Sequence, residues 1–119
     1  MAESPLIIKS KEFALQIIKV CNYVKQTKKE TVLTNQLIRS GTSVGANIRE
    51  AQYAQSKADF ISKLQIALKE NNETAYWLEL LLKTGYIDNK KYDEINSNCT
   101  TIRVMLISSI NTAKGNKSN

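Results

Sequence analysis

Three observations predict an all-α fold, an antiparallel up-and-down four-helix bundle. One proline (Pro5) and four glycines punctuate 119 residues, too few breaks for a β-protein that turns about every ten residues. Apolar residues recur at spacings of three and four along four long stretches, the period of a helix with a buried stripe. Residues that favour helix caps fall between those stretches. The 42% hydrophobic and 24% charged content is ordinary for a globular chain, and the length fits a single domain over 1–119.

The first helix, expected over about 5–26, has Ser4 as cap and Pro5 at its first position, where a missing N–H costs nothing. Leu6, Phe13, Ile17, Cys21 and Val24 form its inward stripe. Thr27 followed by Glu30 reads as a capping box, so the second helix is expected over about 28–54. Its stripe is Leu33, Leu37, Gly41, Val44, Ile48 and Ala51. Ser56 with Asp59 opens a third helix over about 57–83 after a tight link. That helix shows two apolar faces, one through Ile61, Leu64, Leu68, Asn71, Ala75, Leu78 and Leu82, the other through Phe60, Ala67, Thr74 and Leu81. Gly85 ends it and Asp88 caps the fourth, over about 89–114, which buries Tyr92, Ile95, Cys99, Ile102, Leu106 and Ile110. Residues 115–119 are expected to fray. Short links force neighbours antiparallel; a domain-swapped helical hairpin dimer is the competing architecture.

The net charge of +6 is unevenly placed. Up to Lys69 there are eleven Lys/Arg against five Asp/Glu, and beyond it six against six. The excess sits on Lys9, Lys11, Lys19, Lys25, Lys28 and Lys29, with Arg39 and Arg49 on the second helix. Lysines suit phosphate contacts, which makes these eight the candidate nucleic-acid-binding residues. A lysine-rich helix face is also a common solubilising surface, so charge alone discriminates poorly.

Two glycines one turn apart, Gly41 and Gly45, cost about 1 kcal/mol each relative to alanine. They are expected to admit a closely packed helix. Beside them Gln36, Ser40, Ser43, Asn47 and Glu50 form a polar column bordering the core. The structural reading is a buried hydrogen-bond network, with Arg39 or Arg49 pairing Glu50; the alternative is a ligand-binding strip.

Catalysis has little footing. The chain has no histidine, Glu50 and Asp59 lack a second positioned acid, and nothing beside Cys21 would activate a thiolate. Cys21 and Cys99 stand apart without a CxxC, so no metal or cofactor is expected and two buried thiols are favoured over a disulfide. Apolar runs such as Leu80-Leu81-Leu82 fall far short of the ~20 residues of a membrane span. The opening residues, MAESPLIIKSKE, lack a basic start followed by a long apolar stretch. A cytoplasmic protein without a membrane partner is expected.

Leu37-Ile-Arg39, Ser43-Val-Gly-Ala-Asn-Ile-Arg-Glu50, Phe60-Ile61, Leu64-Gln-Ile-Ala-Leu68, Glu73, Leu78-Glu79 and Gly85-Tyr-Ile87 resemble the four-helix bundle proteins of the 23S rRNA intervening-sequence family. These matches span about half the chain in order. The family often carries proline where Gly45 stands. The resemblance implies an up-and-down bundle assembled as a homopentameric ring, some members being encoded within intervening sequences of large-subunit ribosomal RNA genes, and it implies no enzyme. A similar accessory protein of diversity-generating retroelements implies a basic pentamer that engages a reverse transcriptase and nucleic acid.

Two functions follow as expectations. One is a homo-oligomeric module associated with RNA or a nucleic-acid-processing protein through its basic surface. The other is a protein scaffold without nucleic acid, in which Phe60, Thr74, Trp77 and Leu81 make subunit or partner contacts.

Overall fold

Each helix doubles back on the one before it, because the links between them are only a few residues long. The computed structural model describes residues 4–115. Within them lie α1 (Pro5–Lys28), α2 (Val32–Ala51), α3 (Lys57–Lys83) and α4 (Asn89–Ala113). Neighbours pack in sequence order and α4 returns against α1, which closes an up-and-down bundle of 46 × 28 × 24 Å. All four faces close within one chain, so no helix has to be borrowed from a second copy. Of the expected frayed tail, residues 116–119 lie outside the described residues.

The caps explain most boundaries. The Ser4 hydroxyl accepts from the Ile7 N–H at 3.2 Å. Ser56 caps α3, its Oγ accepting from Asp59 N at 3.0 Å, and Asp59 Oδ2 reaches back to accept from Gln55 N, one residue before the cap, at 3.2 Å. Asp88 Oδ1 accepts from Lys91 N at 2.8 Å. Gly85, at φ 81°, lets the Tyr86 N–H turn back to Leu81 O at 2.9 Å, a left-handed exit that favours glycine.

The start of α2 departs from expectation. Thr27 is no cap; it stays inside α1 and its hydroxyl donates to Tyr23 O at 2.7 Å. The chain turns at Lys29, in the left-handed region at φ 58°. Glu30 then reaches forward, its two carboxylate oxygens accepting from Leu33 N and Thr34 N at 2.7 and 3.0 Å. Helix two therefore begins at Val32 instead of 28. It ends at Ala51 instead of 54, because the N–H groups of Gln52, Tyr53 and Ala54 bond three residues back as tight turns.

Phe13, Ile17, Leu37, Ile48, Leu64, Leu78, Ile95, Ile102 and Leu106 are sealed from solvent, each contributing about 1.5–3 kcal/mol by burial. Leu33 and Tyr92, expected inside, are half-buried. Both apolar faces of α3 are used within the chain: Thr74 meets α2, where its hydroxyl donates to Ser40 Oγ at 2.9 Å. Asn71 meets α4, its Nδ2 donating to Cys99 O at 2.9 Å. Two apolar faces are what a helix with two neighbours requires.

The glycines likewise serve an internal partner. A Cβ on Gly41 would lie 2.8 Å from Ile17 Cγ2, so α1 approaches the bare α2 backbone there. Gly45 is under no such constraint, since its Cβ would sit 3.4 Å from Ser10 Oγ in ordinary contact.

Candidate functional site

The eight basic candidates do not form one patch. Lys9 and Lys11 are separated by two residues, about 200° around a helix, and lie near the start of α1. Lys25, Lys28 and Lys29 lie at its far end, with about 25 Å of helix between Lys11 and Lys28. Arg49 closes α2, at the end of the bundle where α1 begins, whereas Lys19 lies toward the middle of α1.

Arg39 is engaged elsewhere. Its guanidinium pairs with Glu70 at 3.2 Å and with Glu73, both on α3. The Trp77 indole N–H donates to the same Glu73 carboxylate at 3.1 Å, and this bond, with Arg39 beside it, holds Glu73 below the ordinary carboxylate range. The result is an ionic clamp of α2 on α3, one cation held between two carboxylates.

The polar column behaves differently from a buried network. Only Ser40 is buried; besides accepting from Thr74 it donates to Leu37 O at 3.3 Å. Ser43 Oγ donates to Arg39 O at 2.7 Å and Asn47 Nδ2 to Ser43 O at 2.9 Å, so both are satisfied by their own helix. Gln36 is exposed, and Glu50 stands 3.3 Å from the Lys63 ammonium on α3. Short polar side chains on a helix can bond back to the preceding turn, as Ser40, Ser43 and Asn47 do, so apart from the Ser40–Thr74 contact these three need neither a ligand nor a cross-helix network.

Of the expected contact residues, Thr74 and Leu81 are fully enclosed by this chain's own helices and offer no surface to a partner. Phe60 and Trp77 are half-buried. The exposed large hydrophobics among the described residues lie elsewhere, including Ile8 and Leu15 on α1 and Val104 and Ile107 on α4.

Cys21 and Cys99 are free, buried thiols, and burial pushes each up to about 11, far from a reactive thiolate at neutral pH. Among the described residues no cluster of three His, Cys, Asp or Glu could hold a metal ion. Nor is any helix there long and apolar enough to cross a membrane.

Sequence reasoning missed a cleft of ≈ 490 Å³ between α1 and the turn joining α3 to α4. Val20, Ile87 and Ile95 form its apolar floor, Tyr23 and Tyr86 its aromatic walls. Lys19 and Lys28 from α1 and Lys91 from α4 stand at its edge. Lys91 pairs with Glu94 at 3.5 Å, whereas no ion pair within the described residues engages Lys19 or Lys28. Lys19 and Tyr23 lie one turn apart, which was readable, but the approach of Tyr86 depends on the α3–α4 turn and has no local signal. A second, more open depression near the opposite end is bordered by Phe60, Leu64, Val104 and Met105.

The architecture and its surface define a small helical-bundle protein of the up-and-down type with an open, lysine-edged cleft. The chain belongs to the 23S rRNA-intervening sequence protein family, which it matches over residues 4–108. It is similar to the crystal structure of a protein of unknown function from the S23 ribosomal protein family of Bacteroides thetaiotaomicron VPI-5482. The two are 54% identical over 88% of this chain and 97% of that one, with a TM-score of 0.87. No curated protein matches.

Proposed function

We infer that this chain is a non-catalytic subunit of a homo-oligomer that associates with RNA through the lysines at the far end of α1. One observation carries the reading: Arg39, Lys63 and Lys91 are bound to carboxylates, whereas Lys19 and Lys28, at the edge of the α1–α4 cleft, are not. Lysines held without a carboxylate partner are available to displace counterions from phosphate. The family's connection with ribosomal RNA genes supports the same reading. A titration of the protein with RNA at 50 and 200 mM salt tests it. About four phosphate contacts predict roughly a fiftyfold loss of affinity over that range, and Lys25→Glu, Lys28→Glu and Lys29→Glu together are expected to abolish binding. Affinity indifferent to salt contradicts it.

A protein scaffold without nucleic acid is favoured by a different observation. Ile8 and Leu15 are spaced by seven on the outer face of α1, and Val104 and Ile107 lie on the outside of α4, apolar side chains suited to a ring of copies or to a partner. Sedimentation decides the assembly common to both readings: a homopentamer is expected, and a stable monomer at micromolar concentration contradicts it.

A further inference from the structure

We propose that the cleft between α1 and the α3–α4 turn holds one unpaired nucleotide of an RNA strand, its base against the Tyr23 and Tyr86 rings and its phosphate at Lys19 and Lys28. The inference rests on the RNA-association reading and names where and how the strand is gripped. The cleft volume, ≈ 490 Å³, lies within the range of sites that enclose small organic groups. Its composition is what a nucleotide presents in reverse. A base has two apolar faces, and the floor of Val20, Ile87 and Ile95 with two tyrosine walls matches them. Tyr23 is 52% exposed with no ring contact of its own, whereas the one aromatic pair among the described residues, Tyr76 with Trp77, lies on α3.

Charge favours the same occupant. Glu94 is matched by Lys91, and Asp88 is committed to the Lys91 N–H as the cap of α4. With Lys91 and Glu94 cancelling, Lys19 and Lys28 stand against the single carboxylate of Asp88, so the edge carries a net positive charge. A duplex keeps its bases stacked inside and cannot lay one into a cleft, so single strands, loops and ends are the form that fits. Stacking on an aromatic side chain is tolerant of base identity.

Fluorescence anisotropy tests the proposal with a labelled oligouridylate, a strand of equal length lacking bases, an RNA duplex and uridine monophosphate as competitor. Tyr23→Ala is expected to weaken oligouridylate binding roughly five- to a hundredfold, and Tyr23→Phe to leave it close to wild type. The baseless strand is expected to bind both forms equally, because only phosphate contacts remain. Lys19→Glu is expected to weaken both strands alike. Tyr23 is half-exposed, so the melting temperature of the alanine variant serves as the check on folding. Equal binding of oligouridylate by wild type and Tyr23→Ala overturns the cleft while leaving the RNA reading intact. Absence of binding to any strand by the wild type overturns both. Duplex binding as tight as oligouridylate, or displacement by uridine monophosphate as effective per nucleotide as by the strand, overturns the unpaired strand as ligand.

Discussion

The seams on either side of α2 and the seam between α1 and α4 are made by the same four amphipathic helices, yet they close differently. Beside α2, small residues let backbones approach: Gly41 takes the Ile17 side chain, and the Ser40 and Thr74 hydroxyls meet across the interface. The cations there are paired as well, Arg39 with Glu70 and Glu73, Lys63 with Glu50. Between α1 and α4 one direct polar link is Asn98 Nδ2 donating to Gln16 Oε1 at 2.7 Å. Beyond it the helices part into the cleft, where Lys19 and Lys28 stand outside any ion pair of the described residues. A seam that satisfies itself holds the bundle together; one that leaves cations, rings and volume unfilled is where a ligand can add something.

The largest expected effect breaks the bundle on its closed side. Leu81→Ala removes a fully enclosed side chain and is expected to cost about 3 kcal/mol in urea unfolding. A residue confined to a subunit interface would instead dissociate the assembly and leave the protomer's unfolding unchanged. The next contrast lies along α2 itself. Gly41→Ala forces a carbon into Ile17 and is expected to cost about 1–3 kcal/mol. Gly45→Ala, with ordinary contact room, is expected to gain up to about 1 kcal/mol.

Smaller still is the acid sensitivity of the α1–α2 turn. Burial works to raise the Glu30 carboxyl, but the Leu33 and Thr34 N–H groups outweigh it and hold the carboxyl below its ordinary 4.5. The charged form is thus favoured in the folded state, so its contribution is present above about pH 4.5 and is lost as pH falls through the lower folded value. Glu30→Gln is expected to lower stability by about 1 kcal/mol at pH 7 and to flatten that acid limb, as read by urea midpoints between pH 3 and 7. The smallest effect is Arg39→Gln: an exposed ion pair contributes only about 0–1 kcal/mol to stability, and RNA affinity is expected to stay at the wild-type value.

Much of this could be read from the chain because its signals are local. Ser4, Ser56 with Asp59, Gly85 and Asp88 each act within four residues of themselves, so caps and helix spans followed from sequence. The α1–α2 turn failed for an equally local reason. Thr27 and Glu30 have capping spacing, but the Thr27 hydroxyl bonds back to Tyr23 O and the left-handed residue is Lys29, where no glycine marks it. The polar column of α2 and the two apolar faces of α3 required the neighbours. Sequence shows which side of a helix is apolar or small, and only packing shows that Ser43 turns back on its own helix while Thr74 and Leu81 enter the core. The cleft was least legible, since Tyr23 and Tyr86 are brought together by the whole topology.

The central claim is that cations at the open α1–α4 seam, and not those beside α2, engage RNA. Affinity for a single-stranded RNA, measured at 50 and 200 mM salt, tests it most directly when Lys19→Glu with Lys28→Glu is set beside Arg39→Gln. The doubly reversed protein is expected to lose at least about tenfold in affinity at the lower salt and to show a salt slope shallower by about 1.4, while Arg39→Gln matches the wild type. Equal losses in the two proteins, or a loss confined to Arg39→Gln, contradict the account.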